Sequence, residues 1–146
     1  MIRSVVITTL VGAFALGAAG QAFAQAEKRQ QAMKDISAAN KAVKGAVEEK
    51  NYATVGVKAK EIMGLADRLP SLFPKGSHTG KTKAKPEIWE KTDEFNKLAK
   101  NLSRAAGDLE AAAKAGNDAD VGAKFKDLGA TCGNCHKPYR AEKYGE

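Results

Sequence analysis

A chain of 146 residues with two cysteines and 43% apolar residues is long enough for one modest globular domain and short for two. Its net charge of +7 arises from lysines spread along every segment and interleaved with acids. That is the pattern of a solvated helical surface, and it excludes nucleic acid as an expected partner.

The N-terminus reads as an export signal. Arg3 precedes an apolar run from Val5 to Ala19, and Ala22-Phe23-Ala24 places small residues at the two positions that signal peptidase reads. A retained anchor fits less well, because the run is short for a membrane span of about 20 residues. The expected division is a cleaved signal peptide over residues 1–24 and one exported, periplasmic domain over residues 25–146, beginning at Gln25 and not inserted in the membrane. Loss of Arg3 with the signal lowers the net charge by one, to +6. The domain retains few aromatics (Tyr52, Phe73, Trp89, Phe95, Phe125, Tyr139 and Tyr144), and alanine fills many of its apolar positions. Small side chains on packed faces either let helices approach closely or leave room for a group that is not protein.

From Ala26 to Lys50 there is no proline, and Met33, Ile36, Asn40, Val43 and Val47 recur in steps of three and four, which predicts an amphipathic helix. Tyr52, Val55, Ala59, Ile62, Ala66 and Leu69 repeat the pattern until Pro70. A turn near Glu49 to Asn51 makes these two helices antiparallel. Residues 70–86 hold three prolines, two glycines and four lysines and read as a long crossover. Pro86 suits the first turn of a third helix carrying Ile88, Thr92, Phe95, Leu98, Leu102, Ala105, Leu109 and Ala112 as far as Gly116-Asn117. Asp118 or Asp120 is the expected cap of the fourth, whose seam is Val121, Phe125, Leu128, Cys132, Cys135 and Tyr139. The fold class is therefore all-α, an antiparallel four-helix bundle.

Cys132-Gly133-Asn134-Cys135-His136 is C-x-x-C-H, the attachment signature of c-type haem. Two thiols one helical turn apart can each add to a vinyl group, and the histidine after the second can reach the iron. Gly133 and Asn134 are small enough to admit the porphyrin edge. Three other readings compete. A thioredoxin-like pair belongs at a helix start after a strand, whereas this one lies late in a helix. A zinc site needs about four ligands and has only the two cysteines, His136 and the distant His78. A disulfide would close so short a loop that it would stabilise little.

The string from Cys132 to Arg140, with Phe125-x-x-Leu128-Gly129, Pro86-Glu87-Ile88-Trp89, Arg29-Gln30 and Leu69-Pro70-x-Leu72-Phe73-Pro74, resembles the cytochrome c′ family across the whole exported domain. That resemblance implies one covalent haem c held by Cys132 and Cys135 in a four-helix bundle, with His136 as the proximal iron ligand. The strings around Ala32-Met33-Lys34-Asp35 and Leu69 to Phe73 look most like the low-spin cytochrome c-556 branch, in which a methionine at the position of Met33 is the distal ligand. Periodicity by itself favours Met33 as an adaptable core filler, and only the resemblance turns the reading to ligation; Met63 is the other thioether of the domain. By the same resemblance Arg29 lies near a haem propionate, Gln30 contacts the haem, and Thr82 and Lys83 in the crossover reach back towards it. A solvated surface arginine is the plainer alternative for Arg29. Arg140 and Tyr139 follow the motif as in the family, and a cation near His136 would tune the potential.

The expected function is a periplasmic one-electron carrier with His/Met-ligated low-spin haem, served by redox partner proteins. The alternative is a five-coordinate, high-spin cytochrome c′ binding NO or CO. Neither reading needs an acid–base pair or nucleophile, so no enzyme is expected. Relatives often pair through their first two helices, so a homodimer is compatible with the resemblance, although no exposed apolar stripe demands one. Pro138 removes a hydrogen bond to the Asn134 carbonyl and predicts a kink or an end just after His136. His78, in a basic loop bounded by glycines, is expected to be exposed.

Overall fold

The computed structural model describes residues 15–78 and 81–143, with side chains from Phe23 onward. The first fourteen residues of the predicted signal and Tyr144 lie outside that range. Five helices follow in order: α1 (Ala15–Glu48), α2 (Tyr52–Arg68), α3 (Glu87–Glu90), α4 (Thr92–Ala115) and α5 (Asp118–Tyr139). A 3-10 turn, Leu69–Leu72, carries α2 into the crossover, where Pro70 cannot supply the next amide. α1 begins upstream of Gln25 and runs through the predicted cleavage point without a break.

Local chemistry sets the ends of these elements. Asn51 caps α2 by accepting from the Thr54 amide at 3.1 Å, after Lys50 has turned the chain at a φ of 54°. Gly116 ends α4 in the left-handed conformation, at φ 71°. The cap of α5 is Asn117, which accepts from the amides of Ala119 and Asp120, not either of the aspartates that follow. Asp118 is instead held across the bundle end by Lys50 Nζ and Tyr52 Oη, both at 2.7 Å.

The four long helices form the bundle. Gly56 and Met63 on α2 meet Ala113 and Gly107 on α4, so rising numbers face falling ones and the two helices are antiparallel. Lys50 and Tyr52 meeting Asp118 put the α1–α2 turn and the start of α5 at one end. α2 packs most extensively on α4, α4 on α5, and α1 on α2, whereas α1 and α5 touch only sparsely. Val43, Val55, Ile62, Leu109, Val121 and Leu128 are almost wholly buried between these helices. Each such side chain contributes about 1.5–3 kcal/mol relative to an exposed one.

Three further expectations need correction. The third predicted helix is broken at Lys91 (φ −117°, ψ 48°) into the single turn α3 and the long α4. Trp89 donates its indole N–H to the Pro74 carbonyl at 2.9 Å, which holds α3 against the crossover and off the α4 axis. Thr92 is exposed rather than on the seam, its hydroxyl bonded to the carbonyls of Ile88 and Trp89. Pro138 does not stop α5 at His136, because the helix continues to Tyr139 and the Arg140 amide still donates to the His136 carbonyl at 3.0 Å. Beyond that point the chain pairs with the crossover: Lys85 N–H donates to Tyr139 O at 3.0 Å and Ala141 N–H to Lys83 O at 2.8 Å.

Candidate cofactor site

The sparse seam between α1 and α5 is a cavity of about 370 Å³, within the range of cofactor pockets. α5 presents Cys132, Cys135 and His136 to it, and α1 presents Arg29, Gln30 and Met33. Leu98 and Leu102 of α4, with Ile36, Ile88 and Phe95, supply apolar wall. The crossover closes one side with Thr82, Lys83 and Ala84, placed there by the pairing of residues 83–85 with 139–141. The candidate residues of three separate segments, α1, the crossover and α5, therefore meet at one place. Gly133 and Asn134 are exposed and off the wall, so their small size is not what shapes the cavity. His78 is exposed, as expected, with its ring 5.8 Å from that of Trp89.

Arg29 is on the cavity wall and is not the solvated surface residue that was its plainer alternative. It is 4% exposed, its Nη2 donates to the Ser77 carbonyl at 2.8 Å and its Nε to Gln25 O at 3.2 Å. Its guanidinium lies 5.1 Å from the Phe73 ring centre and 5.5 Å from that of Trp89. Nη1 is buried and has no partner among the described residues. Burial away from solvent holds the Arg29 pKa below its usual value, as expected of a cation that lacks a counter-charge. A carboxylate in the cavity would supply both the missing acceptor and that charge.

The thiols argue in the same direction. Both cysteines are free and half-buried. Burial, and then the neighbouring Cys132, push the Cys135 thiol up, the opposite of an activated redox thiolate. Burial and the Arg140 charge hold His136 down, favouring the neutral imidazole that a metal ligand requires. Among the described residues no three His, Cys, Asp or Glu side chains gather to chelate a metal ion unaided. Apolar wall, paired thiols, a neutral imidazole and an orphaned guanidinium N–H together fit a haem bearing propionates.

Met33 and Met63 separate clearly. Met33 is half-buried on the α1 wall of the cavity. Met63 stands between α2 and α4 in the main core, its sulfur 3.4 Å from where a Cβ on Gly107 would lie, and is off the cavity wall.

A family model described as Cytochrome C′ matches residues 24–140. This chain belongs to the cytochrome c′ family. It is 35% identical to cytochrome c-556 of Agrobacterium fabrum over 145 residues, covering 97% of each chain. Against cytochrome c′ of Rhodospirillum rubrum it is 40% identical over 85 residues, 58% of this chain and 58% of that one. The crystal structure of cytochrome c′ from Thermochromatium tepidum has a TM-score of 0.74 at 33% identity, covering 81% of this chain and 95% of that chain. The cofactor of this c-type cytochrome is thus covalently attached haem c, and its family is periplasmic.

Sequence reasoning missed Ser77, Phe73 and Trp89 as the setting of Arg29. Phe73 and Trp89 stood in the strings that carried the family resemblance, but nothing near Ser77 signalled that its carbonyl would meet an arginine 48 positions earlier.

Proposed function

We propose that this cytochrome is a periplasmic one-electron carrier, exported by cleavage before Gln25, with haem thioether-linked to Cys132 and Cys135 and its iron held between His136 and Met33. The family match beginning at residue 24 supports the position of the cleavage. The observation that carries the electron-transfer reading is the placement of Met33, the thioether on the cavity wall, on α1 while His136 stands on α5. Bound haem c supplies a one-electron iron couple, and a neutral thioether opposite histidine favours its reduced form.

The chain's own residues do the rest. Arg29 neutralises a propionate through the N–H that otherwise lacks an acceptor. Gln30, Thr82 and Lys83 line the polar edge, and the leucines of α4 exclude water from the iron's surroundings. In this reading the protein passes on an electron and turns over no substrate of its own. Redox proteins are the partners, and a homodimer would cover Val57 of α2, which is 65% exposed.

A second reading has its own support. Met33 also packs against the main apolar core, as a methionine that does not ligate would. In that case the iron is five-coordinate and the apolar wall receives NO or CO. The oxidised holoprotein's visible spectrum decides between them. Low-spin bands with the weak long-wavelength sulfur-to-iron transition support the carrier, while a high-spin spectrum with avid CO binding replaces it with the gas-binding reading.

A further inference from the structure

Aromatic side chains are scarce in this domain, yet four of them stand in one line. Tyr139 meets Phe95 edge to face with ring centres 5.7 Å apart, Phe95 meets Phe73 at 4.7 Å, and Phe73 meets Trp89 at 5.9 Å. The exposed His78 ring continues the line at 5.8 Å from Trp89. Such pairs stabilise a core by packing alone. Two features of the line go beyond packing. Its two ends are the readily oxidised phenol and indole, with phenylalanines, which resist oxidation, between them. It also runs from the cofactor to the surface. Tyr139, Phe95 and Phe73 are on the cavity wall, and Cys135 packs against the cluster that Tyr139 and Phe95 form with Ile88. Trp89 is half-buried and off that wall.

Oxidation of a phenol or an indole releases a proton, and each end of the line has an outlet for one. Tyr139 Oη donates to Glu94 Oε2 at 3.4 Å, and Glu94 is exposed, so the phenolic proton can pass to a carboxylate in contact with water. The indole N–H of Trp89 donates to the Pro74 carbonyl at 2.9 Å in an exposed hydrogen bond. The Arg29 guanidinium, 5.5 Å from the Trp89 ring centre, disfavours positive charge on that ring, so oxidised Trp89 gives its indole proton to solvent.

We propose that Tyr139, Phe95, Phe73 and Trp89 form a route by which the oxidising equivalent that hydrogen peroxide leaves in the haem cavity reaches the surface, where a small reductant removes it. This goes beyond electron carriage and rests on the covalent haem, whichever role Met33 has. One hydrogen peroxide takes up two electrons and two solvent protons to become two waters. Ferrous iron gives one electron and becomes ferric. Tyr139 gives the other, and its phenolic proton goes to Glu94. Tyr139 then recovers an electron from Trp89 through the two phenylalanine rings and its proton from Glu94, while Trp89 loses its own proton to water. A one-electron donor such as ascorbate, with a proton from water, restores the indole.

The test adds hydrogen peroxide to the ferrous holoprotein under argon, maps oxygen addition by peptide mass spectrometry and reads protein radicals by electron paramagnetic resonance in frozen samples. A ligated Met33 keeps peroxide from the iron, so the parent is run beside Met33→Ala and the route is judged in that variant. A slow parent beside a reactive Met33→Ala reports on ligation, which keeps failure of the carrier reading apart from failure of the route. In Met33→Ala, Trp89 should gain oxygen, Tyr52 at the far end of the bundle should not, and ascorbate should abolish the modification. Adding Tyr139→Phe keeps the ring in line but removes the phenol, so oxidation of Trp89 should be lost and the haem should bleach faster. Adding Trp89→Phe should instead trap a tyrosyl signal at Tyr139. Rings that only pack would show no such order. Trp89 oxidised equally with and without the Tyr139 hydroxyl, Tyr52 oxidised as much as Trp89, or no protein radical in Met33→Ala overturns the proposal.

Discussion

Arg29 on α1 and Ser77 in the crossover are joined by a 2.8 Å hydrogen bond from Nη2 to the backbone carbonyl. The contact fixes the crossover to the helix that bears Met33, and it leaves Nη1 of the same guanidinium buried without a partner among the described residues. One arginine therefore serves both the protein framework and the cavity. Arg29→Met keeps an apolar stem over Phe73 and Trp89 but removes the donors. We expect the holoprotein to lose about 1.5–3 kcal/mol, the usual worth of a hydrogen bond to a charged group, in urea unfolding. Limited proteolysis should cut first between residues 74 and 81. A variant as stable and as resistant as the parent would mean that the Ser77 contact anchors nothing.

Removal of both thiols separates attachment from binding. Cys132→Ala with Cys135→Ala should yield a protein whose haem is extracted by acidified acetone, whereas the parent keeps its colour. The cavity between α1 and α5 would then lie open whenever haem dissociates, in a bundle with few aromatics to fill it. A weaker helical circular-dichroism signal and a broad thermal transition should follow. Full stability without haem would show that the α2–α4 core holds the bundle unaided.

The ionic cluster at the far end gives the protein a pH signature. Hydrogen bonds from Lys50 and Tyr52 hold the Asp118 carboxyl below its ordinary value. A carboxyl depressed on folding stabilises the protein above its unfolded pKa, and that contribution is lost as pH falls through the folded value. Lys50 is raised by the same contact, so its share is present below its unfolded pKa and lost as pH rises through the folded one. The stability difference between the parent and Asp118→Asn should therefore be flat between about pH 5 and pH 9, and shrink on either side. Urea midpoints across pH measure it. A difference that grows towards acid would give the cluster the wrong sign.

The parts of this architecture that depend on short-range periodicity were legible. Val55, Ala59, Ile62, Ala66 and Leu69 are all buried, because α2 packs against other helices along one continuous face. α4 was harder, since it faces both α2 and the cavity. Its buried stripe is Phe95, Ala99, Ala106, Leu109 and Ala113, while the expected Leu98 and Leu102 turn towards the cavity and stay half-exposed. The motif marked Cys132, Cys135 and His136 without any help from the fold. The burial of Arg29 was not legible, because it depends on a loop carbonyl and two rings from distant segments. The break at Lys91 was hidden for the same reason, since it goes with the tether from Trp89 to Pro74 across the crossover.

Met33 carries the functional reading, and its replacement tests that reading most directly. Met33→Ala removes a half-buried side chain from α1, while both thiols and His136 remain on α5, so covalent attachment should be unaffected. The lost packing should cost about 2 kcal/mol, towards the lower end for buried methionines because the site borders the cavity. If Met33 ligates, the oxidised iron should change from low to high spin and lose its sulfur-to-iron band. Its reduction potential should fall, since a thioether favours the ferrous state. CO should then bind far more readily than to the parent. Met63 offers no rescue from its place between α2 and α4, away from the cavity wall. An unchanged low-spin spectrum would exclude Met33 and point to a lysine of the wall, of which Lys34 and Lys83 are the candidates. A parent that is already high-spin would make Met33 a packing residue and the cavity a gas-binding one.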